Sequence, residues 1–593
     1  MTNVQSNLTG VLVIALMQLG VLRGGEEATS HAQSLRPSSA RTAPTDIQDN
    51  EHYGFVVVRH RADVRSLTRI VSVADVRGDT AFVFANDRQW RALLEGGYTP
   101  VDLPSPGSLD EHVMSMNPGR SSGWDTYPTY AAYLSMMDYY AELFPTICRL
   151  DTIGRSVQGR LILVMKISSN VQGHDDRPEI LYSSTMHGNE TVGYVLLLRL
   201  IDYLLMQYGQ PTGEGFRVTR LIDNCELWIN PLFNPDGTYM AGSDTTVRSA
   251  RRSNAHGVDL NRDFPDRIND PVNSVAGREP ETQAMMQFVA AHNFSLSANF
   301  HGGAQVVNYP WDNGMPSGTY SFCPDDAWFV HLSKVYAAPN PDIMSGGFPQ
   351  GITNGCAWYD IFGGRQDWIY YWYGGRETTI ELTNAYNPPG SVLPQRWENN
   401  RESFLAYIEE SFKGIRGIIV DADSGKPVRA KVDVMEFTDA PVFSDSSVGD
   451  YHRLLLPGMY NIVVAAPGFL PDTVRNIAVV DTGATCIDVF LERAAVAVNE
   501  GVSSTPSDFQ LFQNYPNPFN PNSNIRYQIS EFRHVKLAVY DLLGGEVAVL
   551  VNERKPAGNY TAQFDASGLA SGVYFYRLTA GRYVETRKML LLQ

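Results

Sequence analysis

Glu-Ile-Leu-Tyr-Ser-Ser-Thr-Met-His-Gly-Asn-Glu, Glu179 to Glu190, with the apolar stretch Val192 to Tyr208 behind it, is the passage on which the fold turns. Glu179 to Ser184 reads as a buried strand and Val192 to Tyr208 as a long helix, with His187 and Glu190 in the connection. Further strand candidates, Glu226 to Leu232, Leu296 to Phe300 and Thr378 to Leu382, alternate with helical segments from Tyr127 to about Phe412. That alternation predicts an α/β domain, a mixed central sheet flanked by helices. Open α/β sheets gather their sites at strand ends. His301, in Ser-Ala-Asn-Phe-His-Gly-Gly (Ser297 to Gly303), also lies at a strand end. His187, Glu190 and His301 offer two imidazoles and one carboxylate, the donor set of an open zinc site whose fourth position is left for water.

A chain of 593 residues is too long for one core and divides into several domains. The hydrophobic share of 43% and charged share of 19% are those of a globular protein. A net charge of -17 argues against a nucleic-acid groove or anionic membrane and is compatible with a positively charged substrate. The five cysteines, Cys148, Cys225, Cys323, Cys356 and Cys486, contain no Cys-x-x-Cys pair and support neither a disulfide framework nor a cysteine zinc site. Two readings stay open for them: buried free thiols, or one Cys323–Cys356 pairing.

The boundaries follow from composition. Residues 1–23 contain the apolar run Leu8 to Leu22, of signal-peptide length and too short to span a bilayer. It lacks a preceding Lys or Arg, so a merely hydrophobic N-terminus is the other reading. Residues 24–49 are polar and expected to be disordered. Residues 50–116 form a small α+β accessory or pro-domain, with nothing in its sequence indicating inhibition. The α/β domain is assigned to 124–412, a small all-β sandwich to 413–493, a linker to 494–508 and a second β domain to 509–593. No later segment qualifies as a transmembrane helix.

His-x-x-Glu alone could arise by chance. Asn-Pro-Asp-Gly (Asn234 to Gly237), Gly-Val-Asp-Leu-Asn-Arg-Asp-Phe-Pro-Asp (Gly257 to Asp266) and Thr-Ile-Glu-Leu (Thr379 to Leu382) follow it in order. As a group these resemble the M14 family of zinc metallocarboxypeptidases. Ser297 to Asp312 and Asn354 to Trp368 are most similar to the carboxypeptidase N, E, M and D subfamily. The sandwich at 413–493 resembles the transthyretin-like domain that follows the catalytic domain there. The last domain, with Gln-Asn-Tyr-Pro-Asn-Pro-Phe-Asn-Pro (Gln513 to Pro521), is similar to the sorting domains of the type IX secretion system. That implies engagement of a secretion machinery and export across an outer membrane, to the exterior or the cell surface; a β-sandwich that only binds sugar or protein is the plainer alternative.

The resemblance implies one zinc ion per chain and C-termini of peptides or proteins as substrate. Zinc-activated water attacks, with Glu381 as the general base. Asp259 orients His187 through its other ring nitrogen. Asn261 and Arg262 grip the terminal carboxylate, and Tyr359 closes over the substrate. Arg252 best fits the arginine that stabilises the oxyanion, with Arg248 and Arg251 as neighbours that could replace it. Asp312 and Gln366 match the pocket that selects C-terminal Lys or Arg. A solvent-facing loop aspartate is the plain alternative for Asp312. The chain departs from the pattern at Asp263, at Arg365 and in Tyr373 to Arg376, and a charge on Arg365 beside the pocket would oppose a basic ligand. Rival readings are a peptidase of this type for neutral or aromatic C-terminal residues or cell-wall peptides, and a non-catalytic peptide-binding protein.

Overall fold

In the computed structural model, the described residues are 50–494 and 509–592, apart from 61–62, 107–111, 118, 120–122, 241–243, 315, 317, 438 and 582. The Leu8 to Leu22 run, the 24–49 segment and nearly all of the 494–508 linker lie outside them. Glu179–Ser184 and Phe294–His301 are buried at every position, as strands covered on both faces must be. They lie at the centre of an eight-stranded sheet. Its order is Ile352–Asn354, Ala304–Tyr309, Arg376–Thr383, Phe294–His301, Glu179–Ser184, Glu226–Asn230, Leu161–Ile167, Cys148–Arg155. The four strands from Arg376–Thr383 to Glu226–Asn230 are mutually parallel. Antiparallel partners flank them on both sides. The sheet is mixed, as expected.

Side chains alternate across it. Ile180 and Tyr182 face a core completed by the helices Val192–Gln207 and Leu393–Glu409, while Leu181 faces Pro280–Ala290 on the other side. Tyr182 reaches through its layer, donating to the Phe404 carbonyl at 2.8 Å.

Two β-sheets built from residues 414–491 follow the catalytic unit. They are tied to it by Asp325, which accepts from Arg376 at 2.7 Å and from Arg453 at 2.5 Å, all three fully buried. A carboxylate between two guanidiniums fixes orientation, because misalignment would strand buried charge. The last domain is an eight-stranded sheet assembly whose Val535, Leu537 and Val539 are all buried, as the period-two pattern predicts. All five cysteines are free, four buried and Cys486 exposed, so the Cys323–Cys356 pairing is absent. Among the described residues no helix is long and apolar enough to cross a membrane.

The N-terminal unit is a four-stranded antiparallel sheet, ordered Ser72–Arg77, Thr80–Asn86, Glu51–Val57, Val101–Leu103. Helices Asp63–Leu67 and Asp87–Glu95 accompany it. Asn86 and Gln89 form a reciprocal capping box at the start of the second helix. Its core does not close on itself: Val73, Val83 and Leu67 share one apolar cluster with Ala304, Val306, Trp358, Tyr359 and Ile361 of the catalytic unit.

Candidate metal centre

The strand Glu179–Ser184 ends in a forced reversal. Thr185 has φ 61°, a left-handed conformation that a β-branched residue adopts only under constraint, at about 1–3 kcal/mol. Its carbonyl accepts from the Asn234 amide at 3.1 Å and its hydroxyl donates to the Pro231 carbonyl at 3.2 Å. Gly188 follows, and a Cβ there would lie 2.2 Å from the Gly237 carbonyl carbon, so only glycine fits. The Asn234 side chain donates to the carbonyls of Met186 at 3.2 Å and Arg252 at 3.4 Å. The Asn-Pro-Asp-Gly motif is thus a brace holding the His187 loop against the Arg252 loop.

His187 Nδ1 lies 2.9 Å from one oxygen of Glu190, His301 Nδ1 lies 2.8 Å from the other, and the two ring nitrogens are 3.0 Å apart. His187 Nε2 faces Asp259 Oδ1 at 3.0 Å, which fixes the tautomer and leaves the Nδ1 lone pair turned inward. All three residues are buried. Burial lowers the His301 pKa to about 4, so its ring is neutral, as a ligand requires. Burial opposes ionisation of Glu190, yet the two imidazoles hold its carboxyl below the ordinary range. Lone pairs from two imidazoles and a carboxylate converging at hydrogen-bond distance suit a divalent cation, and two nitrogens with one oxygen suit zinc.

Two other groupings of such donors, His174 with Asp445 and Asp450 and His174 with Glu179 and Glu226, are partly committed to other partners. Glu226 pairs with Lys166 at 2.7 Å, Glu179 with His292 at 2.6 Å, and Asp445 caps the amides of Ser447 and Val448.

Glu381 stands opposite His301 in the paired register of the neighbouring strand. It is half-buried, and its Oε2 has no hydrogen-bond partner. Burial, then the charge of Glu190, raises its carboxyl well above the ordinary range, opposed by Arg252. Of the three candidate arginines only Arg252 is buried, whereas Arg248 is exposed and Arg251 half-buried. Arg252 reaches Glu190 at 3.1 Å and Asp259 at 3.0 Å. Burial disfavours ionisation of Asp259, but Arg252, His187 and Arg262 keep its carboxyl well below the usual value.

Asn261 follows Asp259 on a short 3₁₀ turn. Its side-chain oxygen accepts from the Arg365 amide at 3.1 Å. Arg262 uses Nη1 on the Asn261 carbonyl and Nη2 on the Val73 carbonyl, both at 2.8 Å. Its Nε is buried and unpartnered. Tyr359 is buried and donates to the Ala74 carbonyl at 3.2 Å.

Asp312 is 2% exposed, which removes the solvent-facing alternative. Its Oδ1 accepts from Asn308 at 2.9 Å and Gln366 at 3.0 Å, so the two sequence-paired pocket residues touch. Arg365 does not oppose this pocket. Its guanidinium is fully buried and turned to Glu377, with contacts at 2.9 and 3.0 Å that balance its charge.

What the sequence reading missed lies in the N-terminal unit. Ser72, Val73, Ala74, Asp75 and Glu51 all touch residues of the site or their neighbours. No local signal marks them, because they meet the site only through packing at long sequence separation.

A zinc carboxypeptidase family pattern matches residues 133–403, and a secretion system C-terminal sorting domain pattern matches 513–592. Carboxypeptidase M of Mus musculus is 39% identical over 341 residues, 55% of this chain and 75% of that protein. The carboxypeptidase N catalytic chain of Mus musculus is 36% identical over 386 residues, 60% of this chain and 83% of that one. Carboxypeptidase D of Rattus norvegicus is 34% identical over 432 residues, 66% of this chain but only 31% of that longer protein.

Proposed function

Since the chain belongs to the zinc carboxypeptidase family and carries a sorting domain that directs export to the cell surface or exterior, we propose that it trims single residues, preferentially Lys or Arg, from peptide C-termini. The observation that carries this reading is the unpartnered Glu381 oxygen beside His301, at the edge of the converging His187, Glu190 and His301 donors.

His187, Glu190 and His301 would hold a zinc ion, which when bound would supply Lewis-acid activation of water and of the scissile carbonyl. Glu381 accepts the proton of the attacking water and returns it to the leaving amine. Arg252 donates to the carbonyl oxygen as negative charge develops there. Asp259, acting through His187, holds the imidazole with its inward nitrogen unprotonated. Asn261 and Arg262 bind the terminal carboxylate, and a planar guanidinium suits that paired recognition. Tyr359 packs over the bound residue and excludes water.

Asp312, with Gln366, receives the side chain of the departing residue. Burial pushes its carboxyl up to about 6, with Glu377 and Asp266 adding to the shift and Asn308 and Arg262 opposing it. Asp367, whose carboxylate accepts from the Asp312 amide at 3.0 and 3.1 Å, also faces it. A raised carboxyl is neutral below its pKa, so preference for a cationic residue is expected to fall as pH drops through about 6. Replacing Asp312 with Asn is expected to lower the kcat/KM ratio of Arg-ended over Phe-ended peptides about ten- to hundredfold, or roughly 1.4–2.8 kcal/mol. The variant's ratio should also lose its pH dependence near that value. An unchanged ratio would exclude Asp312 as the specificity group.

A further inference from the structure

The segment leading into Glu179–Ser184 meets the loop between Val442–Phe443 and Asp450–Arg453, and together they gather His174, Asp445 and Asp450. One donor atom from each lies within 4.8 Å of the others. His174 Nε2 stands 3.7 Å from Asp450 Oδ1 and 3.8 Å from Asp445 Oδ1. Both gaps are too long for hydrogen bonds. They are close to the spacing of two ligands on one ion, since donors about 2.0–2.2 Å from a tetrahedral centre stand roughly 3.3–3.6 Å apart.

The atoms facing this gap are otherwise idle. Asp450 is 2% exposed, yet its Oδ1 has no hydrogen-bond partner, and neither has His174 Nε2. A buried carboxylate oxygen is rarely left so unless something polar fills the space before it. Each side chain is meanwhile aimed by a partner behind it. His174 Nδ1 donates to Glu226 Oε1 at 3.3 Å, which turns Nε2 toward the two aspartates. Asp450 Oδ2 accepts from His452 Nε2 at 3.1 Å. Asp445 accepts from the Ser447 amide and hydroxyl and from the Val448 amide through Oδ1, which leaves Oδ2 for an ion. Outer partners of this kind orient metal ligands. Asn293 sets the distance between the two loops, donating to the carbonyls of Phe443 at 2.9 Å and Asp450 at 3.4 Å. A cavity of about 490 Å³, lined in part by His174, Glu226, Trp228 and Asp445, gives an ion its way in.

We propose that His174, Asp445 and Asp450 form a second metal site, for a divalent transition-metal cation such as zinc, which clasps the 414–491 sheets to the catalytic unit. One imidazole with two carboxylates suits zinc better than calcium, whose ligands are oxygens. The site shares no residue with His187, Glu190 and His301. Without an ion, Asp450 and then Glu226 raise the His174 pKa to about 11, against burial. Binding therefore sends the Nε2 proton to solvent and places the freed lone pair on the ion. The two charges of the cation then stand between the aspartates in place of the single charge of the imidazolium.

The test strips the full chain with a chelator, dialyses it against micromolar zinc and counts bound metal by mass spectrometry. Two zinc ions per chain are expected in the parent, one in His301→Ala, one in Asp450→Asn and none in the double variant. Zinc should raise the melting temperature of His301→Ala, and that rise should vanish in the double variant. A parent with a single zinc that His301→Ala loses would overturn the site and leave His174 as an imidazolium bridge only. Zinc retained by the double variant would also overturn it, as adventitious binding. A single zinc that His301→Ala keeps and Asp450→Asn loses would support this site and overturn the catalytic metal centre instead. Should Asp450→Asn lack a cooperative melting transition, His174→Gln takes its place with the same expectations.

Discussion

Glu381→Gln is expected to lower kcat by about 10²–10⁴-fold while leaving peptide binding within a few-fold of the parent. The amide is close in size to the carboxylate, and the strand pairing that sets Glu381 opposite His301 runs through the backbone, so the substitution leaves the fold alone. What it removes is a proton acceptor. The parent side chain has one oxygen without a hydrogen-bond partner, in surroundings where burial and Glu190 raise its proton affinity. A zinc ion held by the adjacent triad would oppose that rise. Rate and affinity should therefore separate, with kcat falling and KM nearly constant, as for a group that acts only in the transition state. Steady-state kinetics on an Arg-ended peptide check this, and parental turnover in the variant would exclude Glu381 as the base.

Arg252→Gln is expected to cost about 10²–10³-fold in kcat, the usual consequence of removing a preorganised oxyanion donor. The guanidinium is 4% exposed and held between Glu190 and Asp259, so its direction is set before substrate arrives. Its loss leaves those two buried carboxylates with less compensating charge. Zinc should offset this at Glu190, and His187 at Asp259. The melting temperature of the zinc-loaded variant should consequently fall less than that of the metal-free variant. A loss confined to KM would place Arg252 in ground-state binding instead of transition-state stabilisation.

The parts of this molecule that were readable in sequence are those whose cause is local. Glu179–Ser184 has the predicted strand limits because six consecutive residues suit burial on both faces. The helix after it ends at Gln207, one residue before the predicted Tyr208, a difference within the fraying of helix ends. His187, Glu190 and His301 could be named from sequence because two imidazoles and a carboxylate at strand ends suit one metal, and Glu381 through the family motif it resembles; the fold brings the four together. Thr185 was not: nothing in its identity announces a left-handed backbone, which the Asn234 and Pro231 contacts impose. Arg365 misled for a related reason. Its position beside Gln366 in sequence suggested a charge in the pocket, but on the helix Arg365–Tyr373 adjacent residues point in different directions, and Arg365 turns to Glu377. The strand Ser72–Arg77 was the least legible of all. Ser72 to Asp75 reads as an ordinary edge of a small α+β unit, and its meeting with Arg252, Arg262 and Tyr359 spans 180 or more residues of chain.

The most direct test of the central claim is a peptide-library digest read by mass spectrometry, run on the full chain, with and without a chelator. Removal of one C-terminal residue at a time is expected, enriched for Lys and Arg, abolished by chelation and restored by zinc. Internal cleavage, or C-terminal trimming that persists with the metal stripped away, would contradict a zinc centre at His187, Glu190 and His301.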